Sequence, residues 1–247
     1  MWTYFLILLA VLAISVVYIR RAYLMIKKKN QPKEGKKPAL NLEEEGLAEK
    51  VRVSKQDRAE LEFLYQKGEN FLAAGNDDEA IKCFVQVLAI DAMHIETQNK
   101  LALLYMQKQM FSAATALFKQ LASLTADPVH FSHLGLALYS QNEYEQAKEA
   151  YQKAIELDPS RLQRFASLAQ VYRALGQLQN SIIALNKALE ADQKNTDFLL
   201  LLAEIQIDMQ DFDQAKAVIK NILAIEPENP YAKNLLKEIK KLQTPVV

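Results

Sequence analysis

Two histidines three residues apart, His130 and His133, are the nearest this chain comes to a metal-ligand pair. Residues at i and i+3 share one side of a helix, so both imidazoles could meet one cation. Neither is joined by an acidic or cysteine ligand at metal-site spacing, so no metal site is expected, and His133 reads as a groove or surface residue. The single cysteine, Cys83, stands between Lys82 and Phe84 and excludes an internal disulfide or a cysteine-based cluster. It reads as a small apolar group in a helix rather than a redox centre. No two glycines are closer than Gly68 and Gly75, and no Gly-Lys-Ser/Thr stands among them, so a phosphate-cradling loop is missing. No serine sits on a strand-turn-helix elbow, because no strands are expected. Acidic residues are scattered over helix faces and bends. The chain is therefore expected to have no catalytic residues, no cofactor and no small-molecule substrate, and not to be an enzyme.

The elements that would carry any function are helical hairpins. In 128–161, Phe131, Leu134, Leu138 and Tyr139 keep helical spacing on a first helix, and Ala147, Tyr151, Ala154 and Ile155 keep it on a second. Gly135 and Ala147 are small enough for the two backbones to approach closely. Asn142 and Glu143 fall in the bend, and Pro159 ends the second helix because it lacks a backbone donor. Such a hairpin leaves an apolar face that it cannot cover by itself.

Neighbours recur at a fixed interval. Small residues open the second helix at Ala80, Ala114, Ala147, Ser181 and Ala215, spaced 34, 33, 34 and 34 residues apart. Four residues later come Phe84, Phe118, Tyr151, Leu185 and Ile219; seven later, Val87, Leu121, Ala154, Ala188 and Ile222. Gly68, Ala102, Gly135, Ala169 and Ala203 mark the first helices in the same rhythm. In period and pattern, residues 61–229 resemble the tetratricopeptide repeat (TPR) family. The pattern departs from the family at its opening position, usually Trp, held here by Leu64, Gln98, Phe131, Phe165 and Leu199. The terminal proline appears only at Pro159 and Pro227.

The resemblance implies an all-α solenoid of five helix pairs, over 61–94, 95–127, 128–161, 162–195 and 196–229, whose first helices line a concave groove. Carried onto this sequence, the family's peptide-contacting positions fall on Tyr65, Glu69, Asn99, Leu103, Met106, Ser132, Leu136, Tyr139, Gln170, Arg173, Leu200, Glu204 and Ile207. Leu103, Met106, Leu136 and Tyr139 would form an exposed apolar patch in the middle repeats, the kind of surface that binds partners. The carboxylate clamp of some family members requires Lys, Asn and Arg where this chain has Tyr65, Glu69 and Val129, so the expected ligand is an extended or helical segment with apolar side chains. Beyond the fifth repeat, Pro230 opens a helix over 230–242 with Leu235, Leu236 and Ile239 on one side and Lys233, Lys237, Lys240 and Lys241 on the other, the expected cap of the 57–242 solenoid.

Formal charge cancels over the 247 residues, with 30 basic and 30 acidic side chains, but not locally. Residues 1–37 hold eight Lys or Arg against Glu34, leaving an acidic body behind a basic foot. Residues 1–19 carry no side chain charged at neutral pH and at ~1.5 Å per residue span about 28 Å, close to a bilayer's hydrocarbon thickness. Their eleven Leu, Ile, Val and Phe favour insertion by roughly 3–7 kcal/mol. No Lys or Arg precedes the run, unlike a cleaved signal peptide. Residues 1–26 are thus expected to form a single transmembrane anchor. Arg20, Arg21, Lys27, Lys28 and Lys29 would lie at the membrane surface, and their position after the anchor places the repeats in the cytoplasm. The lysines are attributed to lipid rather than nucleic acid. Residues 27–56, interrupted by Pro32, Gly35, Pro38 and Gly46, form a charged linker, with a short helix plausible over Glu43–Val51. The expected function is a membrane-tethered scaffold that binds a protein or peptide in its groove. The alternative is an assembly subunit of a cell-envelope complex, acting through the convex face or self-association.

Overall fold

The computed structural model of the chain describes residues 55–244. The expected anchor, its basic flank and nearly all of the linker lie outside these residues. Contacts divide the chain into two units at 52/53, and all the helices below belong to the second. Among the described residues there are eleven helices and no strand: α1 (Lys55–Ala73), α2 (Asp77–Ile90), α3 (Ile95–Gln107), α4 (Phe111–Thr125), α5 (Pro128–Ser140), α6 (Tyr144–Leu157), α7 (Leu162–Ala174), α8 (Leu178–Ala191), α9 (Thr196–Asp208), α10 (Phe212–Ile225) and α11 (Pro230–Gln243). Among them no helix is long and apolar enough to cross a membrane.

Each odd-numbered helix up to α9 pairs with the next one. The small residues at the crossings are what permit the approach: Ala80, Ala114, Ala147, Ser181 and Ala215 are all fully buried. Ser181 keeps its hydroxyl satisfied by donating to the Ala169 carbonyl at 2.5 Å, as a buried polar group must. Across each crossing sits a large side chain, Phe84, Phe118, Tyr151, Leu185 or Ile219. A Cβ at Gly68 would lie 2.6 Å from the Phe84 ring and one at Gly135 2.8 Å from the Tyr151 ring, so glycine is what lets those rings seat.

The bend within each repeat is also periodic. Gly75, Gln109, Asn142, Gly176 and Gln210 occupy one position of the motif, and all five have φ between 60° and 74°. A six-residue backbone bond closes each bend: Asn76 N–H to Phe71, Met110 to Tyr105, Glu143 to Leu138, Gln177 to Tyr172 and Asp211 to Gln206, at 2.8–3.0 Å. This left-handed helix terminus is cheapest for glycine, and three repeats build it with Asn or Gln. Between repeats the chain restarts on side-chain caps at every junction except that before α7, where Arg161 makes none. Asp127 accepts from Val129 N–H ahead of Pro128, Asn195 from Phe198 and Asn229 from Ala232.

Successive repeats stack on one another. One continuous core runs from Ala102 to Ile239, and a smaller one of Ala80, Phe84, Leu101 and Leu104 fills the first junction. First helices of neighbouring repeats meet directly, α5 with α7 and α7 with α9, whereas no two successive second helices among the described residues pack as closely. The first helices therefore lie on the inner side of the stack. α11 packs against both α9 and α10, closing the C-terminal end.

Candidate functional site

The inner face is built from one stripe on each first helix, in which residues three and four apart stand above one another. α1 supplies Tyr65 and Glu69; α3 supplies Asn99, Leu103 and Met106; α5 supplies Ser132, Leu136 and Tyr139; α7 supplies Gln170 and Arg173; α9 supplies Leu200, Glu204 and Ile207. Equivalent positions of neighbouring repeats form rows across the stack, and in the row Glu69, Leu103, Leu136, Gln170 and Glu204 the three central members are exposed.

Leu103 and Leu136 are 42 % and 46 % exposed and adjacent in that row, and among the described residues nothing covers them further. The four-residue apolar patch expected from sequence is narrower than that, however. Met106 and Tyr139 are half-buried against the core, and the Tyr139 ring lies 5.4 Å from that of Tyr144. Leu200 is likewise half-buried against the core. Ile207 is not a contact residue: it is buried within the core, because α9 is enclosed by α7, α8, α10 and α11 together.

Charge is distributed unevenly along the same face. Toward the N-terminal end, Lys100 pairs with Glu69 at 3.0 Å. Tyr65 is pushed up to about 12, first by burial and then by the negative charge of Glu69 and Glu96, with a hydrogen bond to Glu96. Toward the C-terminal end, Arg173 forms ion pairs with both Glu204 and Asp208 of the next repeat. Between the two, α5 carries no Asp, Glu, Lys or Arg.

Two other groups on the first helices matter. Arg164 is almost wholly buried, donating from Nε to Ser132 Oγ at 3.0 Å and from Nη1 to Asp158 Oδ2 at 2.7 Å and to the Asp158 carbonyl at 2.5 Å. It ties the third repeat to the fourth and takes Ser132 away from the ligand-facing set, since Ser132 Oγ also donates to the Pro128 carbonyl. Sequence reading overlooked Arg164. The available signal was its place in the motif, where other repeats put Thr97, His130 and Phe198, all buried. The histidine pair is split by the fold. His130 is buried with Nδ1 2.8 Å from Thr125 Oγ1, whereas His133 lies 5.1 Å from the Phe118 ring. Burial, reinforced by the charge of His130, lowers the His133 pKa. Among the described residues no three His, Cys, Asp or Glu side chains gather where a metal could be held.

The outer face has a separate concavity. A cleft of about 500 Å³ opens between α6 and α8, floored by Phe165, Leu168 and Tyr172 and walled by Gln152, Ile155 and Ile183.

With period, bends and stacking established, the class is a helical-repeat protein of the tetratricopeptide type. Tetratricopeptide repeat models match residues 61–92, 130–161 and 179–239. The chain belongs to the tetratricopeptide repeat family. Among curated proteins it is 31 % identical over 165 residues to tetratricopeptide repeat protein 21B of Homo sapiens, a match covering 64 % of this chain but 12 % of that protein. Among solved structures it is similar to MamA, with a TM-score of 0.63 at 21 % identity over 76 % of this chain and 98 % of that one. It is also similar to YrrB, described as a TPR protein with an unusual peptide-binding site, with a TM-score of 0.62 at 16 % identity over 70 % and 90 % of the two chains. At these identities the structural likenesses establish the fold.

Proposed function

We propose that this protein is a membrane-tethered scaffold that holds a protein or peptide segment against the inner face of its repeats and performs no chemistry itself. The observation that carries the reading is the pair Leu103 and Leu136, exposed side by side on neighbouring first helices that are otherwise well packed. Exposed apolar side chains that recur in register form a surface rather than isolated accidents. The peptide-binding description of YrrB supports the same use of the fold. Protein capture by the Leu103→Glu, Leu136→Glu double variant should fall at least tenfold below wild type in a crosslinking pull-down. Equal recovery would overturn the reading.

The tether rests on residues 1–19 and the basic residues that follow them. The full chain should stay with membranes through alkaline carbonate extraction, and recovery in the soluble fraction would remove the anchor. Protease added outside intact cells should leave the repeats uncut if they face the cytoplasm.

A second reading, an assembly subunit acting through its outer face or by self-association, is favoured by the α6–α8 cleft and by Phe63, which is 66 % exposed at the first repeat. Sedimentation over a hundredfold concentration range discriminates the two. A monomer throughout excludes self-association.

A further inference from the structure

The inner face has a charge pattern that specifies its partner more narrowly than apolar contact does. On the stripe that carries Tyr65, Asn99 and Leu200, the residue one turn earlier is Glu62, Glu96 and Asp197 respectively, and all three are exposed. At the N-terminal end three carboxylates, Glu62, Glu69 and Glu96, gather around Tyr65; Glu69 is paired with Lys100, and Arg58 stands one turn before Glu62 on the same stripe. At the C-terminal end Asp197, Glu204 and Asp208 face the single guanidinium of Arg173. The N-terminal end keeps an excess of one negative charge and the C-terminal end an excess of two. The centre is different: the exposed positions there are Leu103, Val129, Leu136, Gln163 and Gln170, none of them charged.

Resting on the proposed use of the groove, we infer that its partner is a polypeptide segment with apolar side chains at its centre and Lys or Arg at both ends. Leu103 and Leu136 take the apolar side chains, and the two acidic ends take the basic ones. The inference commits to charge sign, because a partner with acidic ends would meet like charge at both extremes of the groove. It commits to length as well. Packed helices lie ~8–10 Å apart, so the four steps from α1 to α9 cover roughly 32–40 Å. An extended segment rises ~3.3 Å per residue, and about 10–12 residues bridge that distance.

The test is selection of random 12-residue displayed peptides on the full chain, followed by affinity measurement of the enriched peptides. Enriched peptides should carry Lys or Arg near both ends and Leu, Ile, Met or Phe at the centre. Their affinity should fall about tenfold from 50 to 300 mM salt, as exposed charges become screened. A Glu62→Lys, Asp197→Lys variant with unchanged thermal unfolding should lose at least tenfold in affinity for these peptides and gain affinity for versions ending in Glu. If affinity changes less than twofold on charge reversal but is abolished in the Leu103→Glu, Leu136→Glu variant, the groove reading stands and the charge inference falls. If no peptide is enriched, or if both double variants bind as wild type does, the inference falls together with the groove.

Discussion

Phe63 and Ala232 occupy the same position of the motif at opposite ends of the stack, and their surroundings could hardly differ more. The intervening members of the series, Thr97, His130, Arg164 and Phe198, are between 0 % and 7 % exposed, and Ala232 is 0 % exposed, whereas Phe63 is 66 % exposed. This position faces the preceding repeat. From the second repeat onward a preceding helix pair always covers it; among the described residues nothing covers it in the first. The next turn carries the same message, with Leu101, Leu134, Leu168 and Leu202 buried and Lys67 in their place at the start, its ammonium 5.9 Å over the Phe71 ring. A quasi-one-dimensional stack derives much of its stability from nearest-neighbour interfaces. Residues of identical type and motif position therefore contribute unequally, according to whether a neighbour exists.

The sharpest way to break the comparison is to put a charge into the covered end. Ile239, wholly buried on the inward side of the capping helix α11, should cost roughly 3–5 kcal/mol of stability as Ile239→Asp, because apolar burial is lost and a carboxylate is desolvated. Hydrogen exchange should show α10 and α11 opening before α1 and α2. Uniform opening across the array would mean that the end repeats are not independent units.

Gly135→Ala moves the perturbation from a junction into a repeat. Its Cβ would meet the Tyr151 ring at 2.8 Å, and overpacking of that kind costs about 1–3 kcal/mol, measurable by urea unfolding. A neutral result would show that the helix crossing can open without loss.

Asp158→Asn tests the one junction where the motif position is filled by a buried cation. Hydrogen bonds from Ser160 and Arg164 hold the Asp158 carboxyl at about 2, below its ordinary 3.8. A group whose folded pKa is depressed stabilises the fold above its ordinary pKa and loses that contribution as pH falls through the folded value. Wild type should therefore lose stability between about pH 4 and pH 2 at this site. The variant should be less stable at neutral pH and flatter across that window; an unchanged pH profile would remove the Asp158–Arg164 pair from the junction.

At the open end, Phe63→Ser should change stability by less than about 0.5 kcal/mol, as expected for a side chain that touches little. A loss of 2 kcal/mol or more would show that something covers Phe63 in the intact protein.

The helix pairs were legible before any coordinates because their packing is encoded locally. A small residue at Ala147, an aromatic four later at Tyr151 and a turn residue at Asn142 form one repeat, and the five repeats reinforce one another. The face available to a partner was less legible. Leu103 and Met106 are similar in type and lie on one stripe, yet one is exposed and the other half-buried. Arg164, whose type alone does not set it apart from the other cations of the chain, is a buried tie between repeats.

What the amino-acid order determined unaided is the repeat: its period, its two helices, and a bend between them, as at Asn142 and Glu143. These depend on contacts within some 34 residues, where spacing along the chain translates directly into spacing on a helix face. What only the tertiary structure decided, among the described residues, is which expected faces stay open: Ile207 is enclosed, Met106 and Tyr139 are half-buried beside the exposed Leu103 and Leu136, and Phe63 is exposed. Exposure depends on which neighbour stacks against which face, and that is a property of the assembled array rather than of any one repeat.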